Sequence, residues 1–234
     1  MTELIWHEHA NAAAMASAAA AAFAAVARDA VQTRGQALLT LPGGSTPIAA
    51  ITTFANAELD WPKLVIIPGD DRLVDAGSPL SNAAMLARLL GGTGARLMPL
   101  AGAGDDPAEA GREADALLAD LPWPPDLVAL GIGNDGHTAS LLPGPDLEAA
   151  LTRDPAIRAI GVRPDPLPAE APVPRVTLTA GALRAGRTLM ILIAGAAKRR
   201  VLEQAMAEGE GSAFPVGRAL AGLDRPVHIY WRPD

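Results

Sequence analysis

Residues 36–57 read QALLTLPGGSTPIAAITTFANA, and the fold follows from this stretch and from its repetition along the chain. The apolar run Gln36–Leu41 predicts a strand, the PGGSTP loop predicts a turn, and a helix is expected from Pro47 to about Ala57. Three further runs are short and unbroken, as strands buried on both faces should be. These runs cover residues 64–68 (LVIIP), 126–133 (DLVALGIG) and 188–195 (TLMILIAG).

Helices are predicted between these runs. Alanine is the strongest helix former, so the alanine-rich segment after Asn11 predicts a long helix that Asn11 caps and that Gly35 ends. Strands that alternate with helices form parallel sheets with helices on both faces. The sequence therefore predicts an α/β fold with three α/β/α layers and a mainly parallel sheet. The other predicted helices cover residues 81–90, 107–121 and 196–208, and further possible strands cover 96–100, 156–162, 176–179 and 227–231.

One proline-rich segment interrupts this alternation. Residues 154–174 contain six prolines, which disfavour regular secondary structure. Apolar strands are predicted on both sides of the segment, and each half of the chain is short for a domain of its own. We therefore expect residues 1–234 to form a single domain, with residues 154–174 as a long excursion from it.

The composition excludes several classes of function. The 234 residues carry a net charge of -7 and contain no long basic stretch, so nucleic-acid binding is not expected. The absence of cysteine excludes disulfides, thiol catalysis and cysteine-ligated zinc. There is no HExxH motif, and the only closely spaced histidines are His7 and His9, which have no obvious partner ligands. We expect neither a required metal nor a cofactor.

Neither a membrane span nor a secretory signal is expected. Residues 12–27 lack charges, but they are nearly all alanine and are too few for a membrane span. The first eleven residues contain Glu3 and Glu8 and no Lys or Arg, unlike the basic start of a signal peptide. These features predict a cytoplasmic protein. We expect a monomer, with a weak dimer as the alternative.

Ligands of an open parallel sheet bind beyond the carboxyl ends of its strands, and the loop after residue 41 is suited to an anion. Gly43 and Gly44 let the backbone approach a ligand, while Ser45 and Thr46 place hydroxyls at the start of a helix. The amides of a helix start favour a phosphate or a carboxylate. The alternative is an ordinary glycine turn that a hydroxyl caps.

Lysine is rare in this chain, and one of its two lysines follows a predicted strand end. Lys198 lies in the first turn of the helix after residues 188–195. A helix start disfavours a cation, so an anionic ligand near Lys198 is plausible. The alternative is a solvated basic helix face, which fits Arg199 and Arg200 better than it fits Lys198.

A third strand end carries two acids and a guanidinium. In residues 68–74 (PGDDRLV), Asp70, Asp71 and Arg72 directly follow a buried strand. Acid, base and anion-binding roles are all possible at this place. The alternative is an Asp/Arg pair that neutralises itself and orders the loop.

The fourth strand end, residues 130–144 (LGIGNDGHTASLLPG), has the strongest local signal. His137 stands among glycines, and its ordinary pKa of about 6.5 suits proton transfer near neutral pH. Asp135 is close enough in sequence to orient the imidazole. Thr138 and Ser140 are expected at the start of a helix. The other three histidines are expected to be packing or surface residues.

Taken together, five motifs resemble the 6-phosphogluconolactonase family in order and in spacing from about residue 35 onward. The motifs are LPGGSTP, the DDR loop with Ser81 and Asn82 ten residues on, GIGNDGHTASLLPG, PRVTLT at 174–179 and AGAAK at 194–198. The resemblance implies the three-layered fold that glucosamine-6-phosphate deaminases and ribose-5-phosphate isomerases share. It also implies a sugar-phosphate substrate. The implied reaction is the hydrolysis of 6-phospho-D-glucono-1,5-lactone to 6-phospho-D-gluconate in the oxidative pentose phosphate pathway.

The resemblance also implies roles for individual residues. His137 matches the family's catalytic histidine, a general base that activates water, with Asn134 and Asp135 beside it. Asp70 and Arg72 match the acid and the arginine of the family's DER loop, and Arg175 matches an arginine that reaches the ligand or braces the loop. The residues that match the family's phosphate side are Gly43, Gly44, Ser45, Thr46 and Lys198.

Two positions depart from the family's pattern, and two other functions remain open. The family usually has Glu where this chain has Asp71, and Phe is common where it has Leu142. The nearest alternative function is a glucosamine-6-phosphate deaminase, but those enzymes typically have IAFNEP after the histidine, where this chain has TASLLP. A non-enzymatic sugar-phosphate-binding domain is the third possibility.

Overall fold

The computed structural model describes residues 2–234, which form ten β-strands and eight α-helices. The strands are β1 (Leu4–Glu8), β2 (Ala37–Leu41), β3 (Leu64–Pro68), β4 (Asp70–Arg72), β5 (Arg96–Leu97), β6 (Leu127–Leu130), β7 (Ala159–Val162), β8 (Arg175–Leu178), β9 (Thr188–Ala194) and β10 (Val227–Arg232). The helices are α1 (Ala12–Arg34), α2 (Ser45–Phe54), α3 (Asn82–Leu90), α4 (Pro107–Ala119), α5 (Leu147–Ala150), α6 (Ala180–Ala185), α7 (Ala196–Glu208) and α8 (Pro215–Leu220).

Seven strands of the described chain form a parallel sheet in the order β1-β10-β9-β6-β2-β3-β5. Strand β2 pairs with β3 on one side and with β6 on the other, so the direction in which the chain crosses the sheet reverses at β2. A crevice forms at such a reversal, beyond the carboxyl ends of the strands. Because β9, β6, β2 and β3 are neighbours in the sheet, the four strand ends with unusual residues lie side by side.

Helices cover both faces of this sheet. In β9, Met190 and Leu192 belong to the core that α1, α2 and α3 cover. The alternate residues Leu189, Ile191 and Ile193 belong to the core on the other face, with side chains of α4, α7 and α8. This alternation follows from the two-residue period of a strand. It confirms the predicted three-layer α/β/α arrangement with a mainly parallel sheet.

Helix α1 has the predicted boundaries. Asn11 accepts a hydrogen bond from the amide of Ala14, and Gly35 ends the helix with a φ of 79°. By length and composition α1 could cross a membrane, but core helices of soluble proteins pass the same test. Its inner face, which includes Phe23 and Ala27, is buried in the core with side chains of α2 and the sheet. This packing accounts for the apolar length of the helix.

A second, antiparallel sheet has the order β4-β8-β7. Two of its strands, β7 and β8, overlap with the possible strands 156–162 and 176–179, whereas β4 was not predicted. Strand β8 pairs antiparallel with both β4 and β7. Strand β7 lies inside the proline-rich segment, between Pro155 and Pro164, so this segment does include a regular element. The sequence pattern also missed β1, a half-buried edge strand that contains His7.

Candidate active site

A cavity of about 240 Å³ lies at the crevice beyond the ends of β9, β6, β2 and β3. It collects residues from all four strand ends and one residue from β8. Its lining comprises Pro42, Gly43, Gly44, Ser45, Thr46, Pro47, Gly69, Asp70, Arg72, Asn82, Ala129, Leu130, Gly131, Ile132, Gly133, His137, Ala139, Arg175, Leu192 and Lys198.

Two helices begin at this cavity, and each of them directly follows a glycine with positive φ. The residue before α2 is Gly44 (φ 94°), and the residue before α7 is Gly195 (φ 89°). Neither start has a side-chain cap, so the amides of the first turns are available to a ligand. Ser45 and Thr46 line the cavity from α2, and Lys198 lines it from α7. Within residues 2–234, Lys198 has no acidic partner at ion-pair distance.

The imidazole of His137 is held by Asp135. The two side chains are joined by a hydrogen bond of 2.6 Å between Nδ1 of the histidine and Oδ1 of the aspartate. This hydrogen bond is the largest of the causes that lower the pKa of Asp135. Asp135 is therefore an ionised acceptor near neutral pH. An ionised carboxylate cannot donate, so Nδ1 carries the proton in the neutral ring. Nε2 is thereby left with a free lone pair.

The loop around His137 is shaped by close contacts rather than by a helix. A Cβ at Gly133 would lie 2.3 Å from Cε1 and Nδ1 of His137, so only glycine leaves room for the ring. Gly136 has a φ of 75° and packs against Phe214. The predicted helix start at Thr138 and Ser140 is wrong. Ala139 has a φ of 48°, which a right-handed helix does not allow, and the segment is a turn.

Asp70 lies in the cavity wall and is 7% exposed. One of its carboxylate oxygens accepts a hydrogen bond from the hydroxyl of Ser140 at 2.5 Å. The other accepts from the side-chain amide of Asn82 at 3.2 Å. The two bonds tie β4 to the His137 loop and to the start of α3. They fix the position of the Asp70 carboxylate in the wall.

Arg72 and Arg175 face each other across the small sheet, since they are partners in the pairing of β4 with β8. Arg175 is 2% exposed and donates one hydrogen bond, to the carbonyl of Ala171. Arg72 donates to the side-chain oxygen of Asn82 at 2.8 Å. The Nε atoms of both arginines are buried without a partner in the described chain. Burial, and then the neighbouring charge of Arg72, lower the pKa of Arg175. The pair therefore places two positive charges beside the cavity.

Asp71 points away from the cavity and caps a helix. Its carboxylate accepts hydrogen bonds from the amides of Asn82 and Ala83, the first two residues of α3, at 2.7 and 2.9 Å. It also accepts from the hydroxyl of Ser81 and from the amide of Arg72. Burial raises the pKa of Asp71, and these bonds oppose the shift. The residue that departs from the family's usual Glu thus anchors α3 to β4.

The structure brings nearly all of the predicted residues together. The cavity wall includes His137, Asp70, Arg72, Gly43, Gly44, Ser45, Thr46, Arg175 and Lys198. Asp135 reaches the cavity only through His137. Asn134 is exposed and is not among the lining residues.

One lining residue with a polar side chain, Asn82, was not predicted as part of the site. Asn82 bonds to both Asp70 and Arg72, and its side chain fills the space that a Cβ of Gly43 would need. The only sequence signal for Asn82 was the SN pair that follows the DDR loop.

No cluster of three or more His, Asp or Glu side chains that could hold a metal ion occurs within residues 2–234. Besides the Asp70 carboxylate and the His137 imidazole, the polar groups of the cavity are amides, hydroxyls, two guanidiniums and one ammonium. Such groups bind anions rather than cations. The expectation that no metal is required remains a prediction.

Comparison with known proteins identifies the family. Residues 10–228 match the family described as glucosamine-6-phosphate isomerases/6-phosphogluconolactonase. The chain is 36% identical over 231 residues to a 6-phosphogluconolactonase of Rhizobium meliloti (strain 1021), covering 97% of this chain and 98% of the relative. It is 34% identical over 231 residues to a 6-phosphogluconolactonase of Pseudomonas putida, covering 97% of this chain and 92% of that one.

Solved structures support the same relationship. A 6-phosphogluconolactonase from Shewanella baltica OS155 superimposes with a TM-score of 0.90 at 29% identity, with 98% of each chain covered. A monomeric glucosamine-6-phosphate deaminase shares the fold, with a TM-score of 0.79 at 19% identity and coverage of 98% and 97%. The sequence match over most of the chain and the shared fold agree with the arrangement of the cavity. The chain therefore belongs to the glucosamine-6-phosphate isomerase/6-phosphogluconolactonase family.

Proposed function

We propose that the protein hydrolyses 6-phospho-D-glucono-1,5-lactone to 6-phospho-D-gluconate, with His137 as the general base. One observation supports these residue roles above all others. The His137–Asp135 pair lies at the same cavity as two uncapped helix starts and Lys198. A lactone that carries a phosphate needs both parts, a base for water and a site for the anion. The names of the relatives support the choice of this lactone.

The proposed reaction starts when Nε2 of His137 takes a proton from water. The water oxygen bonds to the lactone carbonyl carbon, and a tetrahedral intermediate forms. The bond between this carbon and the ring oxygen then breaks, and the proton on Nε2 goes to the departing oxygen. Asp135 keeps Nδ1 protonated throughout and stabilises the imidazolium. A base placed in this way contributes roughly 100- to 10,000-fold to the rate.

The phosphate of the substrate is proposed to bind the amides of the first turn of α2, the hydroxyls of Ser45 and Thr46, and Lys198. Its charge of about -1.5 to -2 suits the positive ends of two helices. Arg72 and Arg175 are proposed to balance the negative charge that develops on the carbonyl oxygen. Both side chains line the cavity, and their positive charge supports this role.

A direct assay separates this function from its alternatives. The purified protein is mixed with the lactone, and formation of 6-phosphogluconate is compared with spontaneous hydrolysis. A second sample receives glucosamine-6-phosphate and is followed for ammonia. We expect acceleration of the first reaction and none of the second. Ammonia release without lactone hydrolysis would assign the deaminase activity, and substrate binding without either reaction would indicate a binding protein.

We also propose the setting in which the enzyme acts. It works in the cytoplasm as a single domain, and it is a monomer, with a weak dimer as the alternative. In the proposed mechanism the reaction needs neither a metal ion nor a cofactor. Light scattering of the purified protein at two concentrations tests the oligomeric state.

A further inference from the structure

The arginine that follows Lys198 has an unusual environment. The guanidinium of Arg199 lies between two indole rings, 4.5 Å from the ring centroid of Trp6 and 4.7 Å from that of Trp231. It also forms ion pairs with Glu8 at 2.8 Å and with Glu203 at 2.9 Å. The side chain of Arg199 is 29% exposed, so it packs on the two rings while it keeps contact with solvent.

The same indole also holds the residue at which α7 begins. Nε1 of Trp231 donates a hydrogen bond to the carbonyl of Gly195 at 3.0 Å. The amide of Gly195 donates to the carbonyl of Arg232 at 2.9 Å. The first turn of α7 is thus attached to the end of β10 at Gly195 and at Arg199. Lys198 lies between these two attachments.

Lys198 depends on this turn because nothing else holds it in the described chain. It lines the cavity without an acidic partner, and four rotatable bonds separate its ammonium from the backbone. The first turn of α7 sets the position of the Lys198 backbone and therefore the part of the cavity that its ammonium can reach. Trp6, Arg199 and Trp231 themselves are not among the residues that line the cavity.

We propose that Trp6, Arg199 and Trp231 form a clamp that orients the first turn of α7 and, through it, presents the Lys198 ammonium to the phosphate of the substrate. The three are positioning residues for phosphate binding. This inference rests on the proposed function, since it takes the phosphate ester as the ligand of Lys198. The clamp needs an arginine because a planar guanidinium stacks on two rings and bonds to two carboxylates at once, which an ammonium cannot do.

The main test compares Arg199→Ala with Arg200→Ala. Both variants remove one positive charge from the first half of α7, but Arg200 is exposed and lies outside the clamp. We expect Arg199→Ala to raise KM for the lactone about tenfold with kcat within about twofold, because the phosphate contact acts in ground and transition states alike. Arg200→Ala should change neither constant by more than about twofold. Equal effects of the two variants would mean that only charge matters and would overturn the clamp.

Two further variants guard against a general loss of structure. Arg199→Lys keeps the charge but loses the stacking, so its KM should lie between those of the parent and Arg199→Ala. Trp231→Phe keeps a ring under the guanidinium but removes the hydrogen bond to Gly195, and it should also raise KM. Circular dichroism and thermal unfolding establish that each variant is folded. Unchanged KM in the folded variants would refute the proposal.

A double variant tests whether the clamp acts through the lysine. In the Lys198→Ala background, Arg199→Ala should cause no further rise in KM, since the group that the clamp presents is already absent. A further tenfold rise would show that Arg199 acts independently and would overturn the inference.

Binding of inorganic phosphate separates the clamp from the proposed reaction. Calorimetric titration of the parent and of Arg199→Ala with phosphate needs no lactonase activity. We expect weaker binding by the variant, by a factor close to its rise in KM. If the protein had no lactonase activity but Arg199→Ala still bound phosphate more weakly than the parent, the clamp would be supported and the proposed reaction would be refuted. Equal phosphate affinities in an active enzyme would remove the clamp alone.

Discussion

The parallel sheet and the small antiparallel sheet contribute different kinds of groups to the same cavity. The parallel sheet supplies backbone amides at two glycine turns and two titratable side chains beyond its strand ends, His137 on a loop and Lys198 in the first turn of α7. The small sheet supplies Asp70, Arg72 and Arg175, which are side chains of the strands themselves. Groups beyond the strand ends point into the crevice from a turn or a helix start, whereas charges on paired strands are held by the sheet itself. The difference suggests that the parallel sheet binds phosphate and moves protons, while the small sheet provides fixed charge.

Replacing His137 should have the largest effect on the parallel-sheet side. We expect His137→Asn to lower kcat by roughly 100- to 10,000-fold and to leave KM within a few-fold, because only proton transfer is lost. Steady-state kinetics corrected for spontaneous hydrolysis gives both constants. Turnover within a few-fold of the parent would remove His137 from the role of base.

Arg175→Gln tests the fixed charge of the small sheet. Hydrogen bonds to charged groups contribute about 1.5 to 3 kcal/mol, so we expect kcat/KM to fall by roughly 10- to 100-fold. Arg163→Gln is the control, since this arginine is exposed and lies outside the cavity. If the two variants had the same kcat/KM as the parent, the small sheet would be a support and not a source of catalytic charge.

Lys198→Ala should affect binding before rate. An ionic contact to the phosphate exists in both ground and transition states, so we expect KM to rise about tenfold and more than kcat falls. Added salt should weaken substrate binding more in the parent than in the variant, because screening acts on the contact that was removed. Kinetics at two ionic strengths measures both effects. A collapse of kcat with unchanged KM would instead make Lys198 catalytic, and no change would make it a solvated lysine.

Asp71→Asn should reduce stability rather than chemistry. The buried Asp71 carboxylate accepts four hydrogen bonds. In the variant, the side-chain NH2 group of the asparagine would face N–H or O–H donors that now bond to the carboxylate. We expect this loss to lower the free energy of unfolding by about 1 to 3 kcal/mol. Asp75→Asn on the exposed loop is the control. Urea unfolding measures the difference. A stable variant with greatly reduced kcat would show that Asp71 acts in the reaction.

The smallest effect is expected for the pH dependence of stability that the Asp135 carboxyl contributes. The bond to His137 lowers the pKa of this carboxyl below its unfolded value of 3.8, so the pair adds stability above that pH. The contribution is lost as the pH falls through the lowered pKa. Since the pair is half exposed, we expect Asp135→Asn to cost less than about 1 kcal/mol near neutral pH, and the cost should shrink in acid. Urea unfolding at about pH 6 and below pH 3.8, with Asp29→Asn as control, tests this. A cost that grew in acid would contradict the assigned pKa direction.

Much of the fold could be predicted because it depends on local patterns. The strand 64–68 and the helix 196–208 have the predicted bounds, since unbroken apolar runs and helix propensity act over short distances. Strand β1 was missed because its apolar run is only three residues long, Leu4 to Trp6, and is followed by His7 and Glu8. The helix predicted after His137 was wrong because Ser140 instead bonds to Thr177 and Asp70, far along the chain, and holds the segment as a turn.

The sequence by itself determined which strand ends carry reactive groups, since glycines, His137 and Lys198 follow apolar runs that must be buried. Only the tertiary structure decided which groups act together. It separated the neighbouring acids, so that Asp70 lines the cavity while Asp71 caps α3. It also paired Arg72 with Arg175 across the small sheet, and it enclosed Arg199 between Trp6 and Trp231 from opposite ends of the chain. The reason is physical. Burial and helix formation depend on neighbours in sequence, whereas the partners of a buried charge come from wherever the folded chain brings donors and acceptors together.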